Sequence, residues 1–259
     1  MAPSPPREDP ITFPASSPPS DPGHSAALIF LHGLGDSAFG FSGIASQFQN
    51  ANKLPHMRWL FANAVENRDA MQQAWYTPSS LSPFPSSRPE LDDEEDEAGM
   101  LESVAYIVGL IDGLVAEGVP AGRIVLAGFS QGAAMSLLTA LISPRHSGRL
   151  AGVAALSGYL PIEKRIQALR AAAGLPETVG EMPVFVARGT KDMLVPRRYL
   201  RICVDALAEL GMRERKSEEE GSGDGVLEVH EYEGMGHGTS GVELRDLCMW
   251  LEKVVPPLE

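Results

Sequence analysis

Short apolar segments and longer segments with helical periodicity alternate along the chain. Six short segments rich in apolar residues are typical of buried strands, and they span residues 25–31, 57–61, 124–127, 150–156, 183–187 and 226–232. Six segments are typical of helices, and they span residues 41–52, 98–118, 133–142, 161–173, 197–210 and 242–255. This alternation predicts an α/β fold, a mostly parallel sheet with helices on both faces.

Two segments fall outside this alternation. Residues 1–24 are rich in proline and serine, and we expect a disordered or surface-hugging extension that turnover does not require. Residues 64–97 form a long connection with weak periodicity, and such loops in compact domains are often functional. The sequence therefore predicts one α/β domain over residues 25–259, preceded by a disordered or extended N-terminal segment.

The motif Gly128-Phe129-Ser130-Gln131-Gly132 lies between a predicted strand and a predicted helix. A strand that turns into a helix over one residue strains that residue, and side chains two positions before and after it would collide. Both of these positions are glycine here. The turn would expose the Ser130 hydroxyl at a helix N-terminus, so Ser130 is the predicted nucleophile.

A serine nucleophile needs a base within hydrogen-bond reach and an acid that orients the base. Ligands of open α/β sheets bind at the carboxyl ends of the strands, where Asp192 and His237 follow the strands predicted at 183–187 and 226–232. The chain order Ser130, Asp192, His237 is that of α/β-hydrolases. We expect three other histidines to be solvated: His24, His56 and His146.

The same arrangement predicts an oxyanion hole. The backbone N–H of Gln131, the residue after the nucleophile, is one expected donor. The second is expected from the glycine-rich loop His32-Gly33-Leu34-Gly35, and most directly from the N–H of Leu34. Glycines allow this backbone to approach a substrate closely. We interpret His32 as a residue that supports the loop.

Composition and charge narrow the function classes further. The formal net charge of −13 disfavours nucleic acid and anionic membrane surfaces as partners. Seven of the residues in 90–97 are acidic, and we interpret this run as a solvated loop rather than a metal site. The sequence shows no apolar segment for a signal peptide or a membrane span. We therefore expect a cytoplasmic protein, or one that is also nuclear, without a metal.

Four motifs together resemble the acyl-protein thioesterase branch of the phospholipase/carboxylesterase family. They are LHGLGDS at 31–37, GFSQGAAMS at 128–136, DMLVP at 192–196 and EGMGHGTS at 233–240. The stretch DEAG at 96–99 is also similar, and the resemblance covers residues 25–257. It implies a single-domain α/β-hydrolase that has no separate lid domain and needs no cofactor.

The resemblance implies hydrolysis of long-chain acyl thioesters on S-acylated (palmitoylated) protein cysteines. The alternative is a carboxylesterase or lysophospholipase that acts on oxygen esters of small molecules or lysolipids. The resemblance places the triad on Ser130, Asp192 and His237 and the oxyanion donors on Leu34 and Gln131. We expect a monomer or weak homodimer that does not insert stably into membranes. A non-catalytic binding protein on a hydrolase fold is the alternative from another class.

The chain departs from the family pattern in two places. Arg188-Gly189-Thr190-Lys191-Asp192 stands where the family often has His-Gly-Asp-x-Asp, so only the last acid is kept. Trp75-Tyr76-Thr77 stands in place of a Trp-Phe-Asp segment, and the loop after it is longer here. Four apolar residues are expected to line an acyl groove beside the site: Trp75, Leu81, Phe84 and Leu194. The alternative for each is ordinary packing, in the core or as a loop anchor.

Overall fold

The computed structural model describes residues 7–67, 69–78, 95–215 and 226–258. Strands and helices alternate through most of this part of the chain. The strands are β1 (Ile11–Phe13), β2 (Ala26–Leu31), β3 (Met57–Ala62), β4 (Val65–Asn67), β5 (Gln72–Ala74), β6 (Ile124–Phe129), β7 (Gly152–Leu156), β8 (Val184–Gly189) and β9 (Leu227–Tyr232). The α-helices are α1 (Ala38–Asn50), α2 (Glu97–Ala116), α3 (Gln131–Ile142), α4 (Ile166–Ala172), α5 (Arg197–Glu209) and α6 (Gly241–Val254).

Seven strands form one sheet in the order β1-β3-β2-β6-β7-β8-β9. Strands β2, β3 and β6 to β9 run parallel to one another, and β1 pairs antiparallel with β3 at the edge. Strands β4 and β5 pair separately as an antiparallel hairpin. The mostly parallel sheet that the strand–helix alternation predicts is therefore confirmed.

Helices cover both faces of the sheet. Along β2, Ile29 and Leu31 belong to the core cluster that contains residues of α2, α3, α4 and α5. Leu28 and Phe30 of the same strand belong to the cluster that contains residues of α1 and α6. Successive side chains of a strand point to opposite faces, so a strand covered on both sides needs an unbroken apolar run. This is why the strands appear in the sequence as apolar runs without alternation.

The strand order reverses between β2 and β6, which are neighbours in the sheet. The chain continues from β2 to β3 on one side and from β6 to β7 on the other. The connections that follow these two strands therefore diverge, and they leave a crevice at the carboxyl edge of the sheet. The loop after β2 contains residues 32–35, and the turn after β6 contains Ser130. The topology thus brings the two glycine-containing motifs to one place.

Ordered structure begins earlier than the sequence predicts. Strand β1 pairs with β3 along Ile11–Phe13, and Arg7 forms an isolated antiparallel bridge with Val65. A three-residue strand among prolines gives no recognisable period in the sequence. The edge of β3 supplies the hydrogen-bonding groups that order it. The described part of the extension, residues 7–24, therefore contributes a strand to the sheet of the domain.

Helix α2 is the one helix in the described residues that is long and apolar enough to cross a membrane. The sequence prediction that no segment meets this condition is therefore wrong. Met100, Ile107 and Ile111 of α2 are buried in the core cluster that also contains residues of α3. The apolar face of the helix is thus covered by the domain itself.

Candidate active site

Ser130 lies at the turn between β6 and α3, with φ 53° and ψ −118°. A positive φ is strained for a residue that carries a side chain. A Cβ on Gly128 would lie 2.4 Å from the carbonyl carbon of Gly132, and a Cβ on Gly132 would lie 2.1 Å from the carbonyl oxygen of Leu31. The turn therefore requires glycine at both positions, and it holds Ser130 at the N-terminus of α3.

The structure brings Ser130, Asp192 and His237 together from the loops after β6, β8 and β9. His237 Nε2 lies 3.0 Å from Ser130 Oγ, and His237 Nδ1 lies 2.8 Å from Asp192 Oδ2. Because a carboxylate only accepts hydrogen bonds, Asp192 fixes the tautomer with the proton on Nδ1. His237 Nε2 is then free to accept the hydroxyl proton of Ser130. This arrangement can activate a serine for attack on an acyl group.

Backbone amides hold the Asp192 carboxylate in place. Its Oδ1 accepts the N–H of Leu194 at 2.9 Å and the N–H of Val195 at 2.8 Å. Asp192 is only 3% exposed, so the carboxylate has little freedom to turn away from His237. The imidazole in turn packs against Phe129, with ring centroids 4.9 Å apart. The acid and the base are therefore preorganised before any substrate binds.

The loop after β2 lies beside the nucleophile. A Cβ on Gly33 would come within 3.3 Å of Ser130 Cβ, and Leu34 is the next residue of that loop. Gln131 is the first residue of α3, where N–H groups have no acceptor within the helix. The structure therefore brings the segments that carry both predicted donors, Leu34 and Gln131, to Ser130. Two amides in such positions can stabilise an oxyanion.

Trp75 joins these two segments. Its indole Nε1 donates to the carbonyl oxygen of His32 at 2.8 Å, and its backbone N–H donates to Gln131 Oε1 at 2.8 Å. Gln131 Nε2 donates to the carbonyl oxygen of Tyr76 at 3.0 Å. Trp75 is 1% exposed. These contacts match the alternative in which Trp75 anchors a loop, rather than an open position on a groove wall.

His32 supports the same loop through both ring nitrogens. Its Nε2 accepts the N–H of Ala64 at 3.1 Å, so Nδ1 carries the proton and donates to the carbonyl oxygen of Gly33 at 2.7 Å. Burial lowers the pKa of His32, because a buried imidazolium is poorly solvated. In the neutral ring, Nε2 can accept the N–H of Ala64, and this hydrogen bond holds His32 against the loop.

The other predicted groove residues fall into two groups. Leu194 is 51% exposed and lies two residues after Asp192, so its side chain is available to an acyl chain beside the site. Its neighbour Met193 is also exposed. Leu81 and Phe84 lie outside the described residues, so their position in a groove stays a prediction.

An ion pair between a buried arginine and a partly exposed glutamate accompanies the departure from the family pattern at the end of β8. Arg188 is buried, and its Nη1 lies 2.8 Å from Glu231 Oε1 on β9. Its Nη2 donates to the carbonyl oxygen of Asp192 at 3.4 Å. Glu231 also pairs with Arg197 at the start of α5. Arg188 therefore braces the backbone of Asp192, a contact that the sequence pattern alone did not reveal.

The end of the acidic run is half-buried and contacts the domain, contrary to its interpretation from the sequence as a solvated loop. Glu95 accepts the N–H of Ile162 at 2.6 Å and the hydroxyl of Tyr159 at 3.3 Å. Asp96 caps the N-terminus of α2, where a carboxylate compensates the free N–H groups. Residues 90–94 of the run lie outside the described residues. The run therefore ends in residues that contact the domain rather than in a loop open to solvent.

Two histidines that we expected in solvent are buried. His56 Nε2 donates to the carbonyl oxygen of Val255 at 2.8 Å, and His146 Nε2 lies 2.8 Å from Asp112 Oδ1. Neither lies near the triad in the chain, and both partners are distant in sequence. Across residues 7–67, 69–78, 95–215 and 226–258, no three His, Cys, Asp or Glu side chains are placed to hold a metal ion.

The model of the phospholipase/carboxylesterase family matches residues 16–255 of the chain. The chain belongs to the phospholipase/carboxylesterase family. Membership confirms the resemblance drawn from the sequence motifs, and it indicates a serine hydrolase. The predicted α/β-hydrolase fold is confirmed as well, because the sheet and its helices match solved structures of this fold.

Several relatives named acyl-protein thioesterase 1 are similar over most of their length. That of Mycosarcoma maydis is 37% identical over 246 residues, which cover 90% of this chain and 92% of the relative. That of Yarrowia lipolytica is 32% identical over 246 residues, which cover 93% of this chain and 97% of the relative.

Solved plant structures share the fold. Arabidopsis thaliana SOBER1 has 28% sequence identity and a TM-score of 0.72, and the match covers 89% of this chain and 99% of SOBER1. Zea mays acyl-protein thioesterase 2 has 22% identity and a TM-score of 0.69, and the match covers 95% of this chain and 98% of that chain.

Proposed function

We propose that this chain hydrolyses long-chain acyl thioesters on S-acylated protein cysteines, with Ser130 as the nucleophile. The observation that carries the proposal is the continuous hydrogen-bond path from Ser130 Oγ through His237 to Asp192, with distances of 3.0 and 2.8 Å. The relatives named acyl-protein thioesterase support the substrate class. The proposed chemistry uses side chains and backbone amides of the chain itself.

In the acylation step, Ser130 Oγ attacks the carbonyl carbon of the thioester while His237 Nε2 takes the hydroxyl proton. The carbonyl oxygen becomes an oxyanion and accepts hydrogen bonds from the amides of Leu34 and Gln131. Asp192 stabilises the imidazolium that forms. Collapse of the tetrahedral intermediate breaks the carbon–sulfur bond, and His237 returns the proton to the departing cysteine sulfur.

In the deacylation step, His237 Nε2 takes a proton from a water molecule as that water attacks the acyl-Ser130 ester. The same two amides stabilise the second oxyanion. The carbon–oxygen bond to Ser130 then breaks, and the proton passes from His237 to Ser130 Oγ. A free fatty acid leaves, and the starting state is restored.

The acyl chain needs an apolar surface next to the reacting carbon. Leu194 lies two residues after Asp192 with about half of its surface open to solvent. We propose that Leu194 contacts the acyl chain, together with Leu81 and Phe84 from the 75–97 loop. Trp75 contributes as the residue behind the oxyanion loop, since its ring is buried.

A carboxylesterase or lysophospholipase activity on oxygen esters is the second candidate. The name of the matching family includes both phospholipase and carboxylesterase. The acyl-enzyme is common to all these reactions. They differ in the leaving group, and the triad does not distinguish one leaving group from another. A non-catalytic binding protein is disfavoured, because the hydrogen-bond path at Ser130 is complete.

We also propose that the enzyme works as a monomer or a weak homodimer without stable membrane insertion. Ser130, His237 and Asp192 all come from one chain, so the triad needs no residue from a second copy. The apolar face of α2 is packed within the domain. Light scattering across a range of protein concentrations should give the mass of one chain, with a dimer only at the highest. A stable larger assembly would contradict this proposal.

The experiment that tests the function compares acyl thioesters with matched oxygen esters, in a series from acetyl to palmitoyl. Three proteins are assayed: the unmutated chain, Ser130→Ala, and Ser46→Ala as a control at an exposed serine of α1. We expect Ser130→Ala to lower kcat by at least about 10⁴-fold, because it removes the nucleophile. Ser46→Ala should match the unmutated chain.

The substrate series separates the two candidate activities. Turnover that depends on Ser130 and favours long-chain thioesters supports the proposed thioesterase and leads directly to assays on S-acylated proteins. Turnover confined to short oxygen esters keeps the triad and moves the function to a carboxylesterase. Activity of Ser130→Ala close to that of the unmutated chain would overturn the nucleophile assignment.

A further inference from the structure

The segment that precedes β1 contacts Trp75, the residue behind the oxyanion loop, through one side chain. The guanidinium carbon of Arg7 lies 4.3 Å from the ring centroid of Tyr106 and 5.5 Å from that of Trp75. Arg7 Nη2 donates to Ser103 Oγ at 3.2 Å, and Ser103 Oγ donates to the carbonyl oxygen of Trp75 at 2.5 Å. A guanidinium is attracted to aromatic faces, and more strongly when it is partly removed from water.

Trp75 passes this contact on to both sides of the oxyanion hole. Its carbonyl group faces Ser103, whereas its N–H and its indole Nε1 face Gln131 and His32. Gln131 carries one proposed oxyanion donor, and the loop that starts at His32 carries the other. A displacement of Trp75 would therefore disturb both donors together.

A second contact joins the N-terminal segment to the far end of the same loop. Asn63 Nδ2 donates to the carbonyl oxygen of Asp9 at 3.0 Å. Asn63 Oδ1 accepts the N–H of Ala38, the first residue of α1, at 2.8 Å. The oxyanion loop thus leads from His32, which Trp75 anchors, to Ala38, which Asn63 anchors. Trp75 is linked to the N-terminal segment through Arg7, and Asn63 is linked to it through the carbonyl oxygen of Asp9.

We propose that residues 7–9 brace the oxyanion hole and that Arg7 is a positioning residue for the reaction. The proposal rests on the proposed function of Ser130 as nucleophile. It is the alternative to the expectation that turnover does not require residues 1–24. Oxyanion donors act on the transition state and depend on fixed positions. Loss of the brace therefore lowers kcat and leaves KM for a small ester nearly unchanged.

The test compares Arg7→Ala and Arg7→Lys with Glu8→Ala, a change at the exposed neighbouring side chain. With a short-chain oxygen ester, Arg7→Ala should lower kcat about tenfold and change KM by less than about twofold. Arg7→Lys keeps a cation over the rings and should restore part of the loss. Glu8→Ala should match the unmutated chain. A kcat of Arg7→Ala within about twofold of the unmutated value would overturn the proposal.

A second readout does not depend on the natural substrate. A fluorophosphonate labels an activated serine, and a trifluoromethyl ketone forms a tetrahedral oxyanion with it. In Arg7→Ala, the labelling rate and the affinity for the ketone should fall by the same factor as kcat. If the thioesterase assignment fails but these losses are seen, the brace stands. If labelling and ketone binding are unchanged, the brace fails whatever the substrate is.

The folded fraction of each variant is measured by thermal unfolding. A loss of activity that follows the folded fraction, or that Glu8→Ala shows equally, would overturn the positioning role. If Arg7→Ala does not fold, Trp75→Phe takes its place, because it keeps an aromatic ring and removes the Nε1 donor to His32. The same fall in kcat at nearly constant KM is expected, and an unchanged kcat would contradict the brace.

Discussion

On one side of Ser130, Asp192 and His237 come from loops that directly follow β8 and β9. Asp192 accepts two amides of its own loop, and His237 bridges Asp192 and the nucleophile. On the other side, the segments that bear Leu34 and Gln131 are linked through Trp75. The Asp192 carboxylate is thus held by amides of its own loop, whereas the oxyanion side is held by contacts with Trp75, which comes from another part of the chain.

We therefore expect substitutions on the two sides of Ser130 to lower activity by different amounts. A change on the acid–base side removes a group that takes part in proton transfer, so its effect is large and alters chemistry directly. A change on the oxyanion side leaves the backbone amides present and shifts where they lie, so its effect is smaller. Substitutions of residues far from the reacting atoms can also shift the oxyanion amides.

The largest effect after the loss of Ser130 is expected for Asp192→Asn. The amide can donate to His237 Nδ1 and so favours the wrong tautomer, which leaves Nε2 protonated and unable to take the serine proton. We expect kcat to fall by about 10⁴-fold near neutral pH. Asp205→Asn, at an exposed position of α5, serves as the control. A loss of less than about tenfold would contradict the assigned role of Asp192.

An intermediate effect is expected for Gln131→Ala on the oxyanion side. The substitution keeps the backbone N–H and removes the side-chain bonds to the Trp75 N–H and the Tyr76 carbonyl group. We expect a fall in kcat of about 10- to 100-fold with an unchanged pH profile, because the base and the acid are intact. Gln47→Ala, at an exposed position of α1, should have no effect. A shifted pH profile would show that the two sides are not separate.

The smallest effect concerns Glu243, which lies in the first turn of α6, close after His237. Its side chain is fully buried in the domain. Burial raises the pKa of Glu243 to about 7, from an ordinary value of 4.5. The folded state therefore keeps a proton that the unfolded state loses as pH rises between these values.

The sign of the pH effect follows. The contribution of Glu243 to the free energy of unfolding is largest below its ordinary pKa. This contribution falls as pH rises to about 7 and is constant above that pH. The total loss in the free energy of unfolding is at most about 3 kcal/mol. Glu243→Gln cannot lose a proton, so from about pH 5 to about pH 8 its Tm should fall several degrees less than that of the unmutated chain. Glu209→Gln, exposed on α5, is the control. Parallel Tm curves for both variants would contradict the prediction.

The acid–base side could be found in the sequence because its signals are local. Ser130 stands in a five-residue motif whose glycines are required by the turn. Asp192 and His237 each follow a recognisable strand, and parallel strands bring their carboxyl ends to one edge. The fold was predictable for the same reason, since buried strands read as apolar runs and the helices between them have a clear period.

The oxyanion side could be predicted only in part. The loop at Leu34 is visible as a glycine-rich motif, but its anchors are not. Arg7 and Ser103 are separated by 96 residues, and Trp75 and Gln131 by 56. Neither pair has a spacing that sequence periodicity reports. Strands β4 and β5, which lead to Trp75, have three residues each, too few to show an alternating pattern.

The same limit explains the misplaced histidines. His56 and His146 stand in segments that look polar and open. The acceptor of His56 is the carbonyl group of Val255, 199 residues away, and His146 pairs with Asp112, 34 residues earlier. A polar residue is solvated or buried according to whether a partner reaches it. For both residues that partner is fixed by tertiary structure alone.

Ser130 is tested as the nucleophile most directly by identifying the residue that carries the acyl group during turnover. The unmutated chain and Ser130→Ala are mixed with a palmitoyl thioester, quenched with acid within the first turnover, and analysed by intact-mass and peptide mass spectrometry. We expect one palmitoyl group on the peptide that contains Ser130, and none on the variant. An acyl group on another residue, or turnover without any covalent intermediate, would contradict the role of Ser130 as the nucleophile.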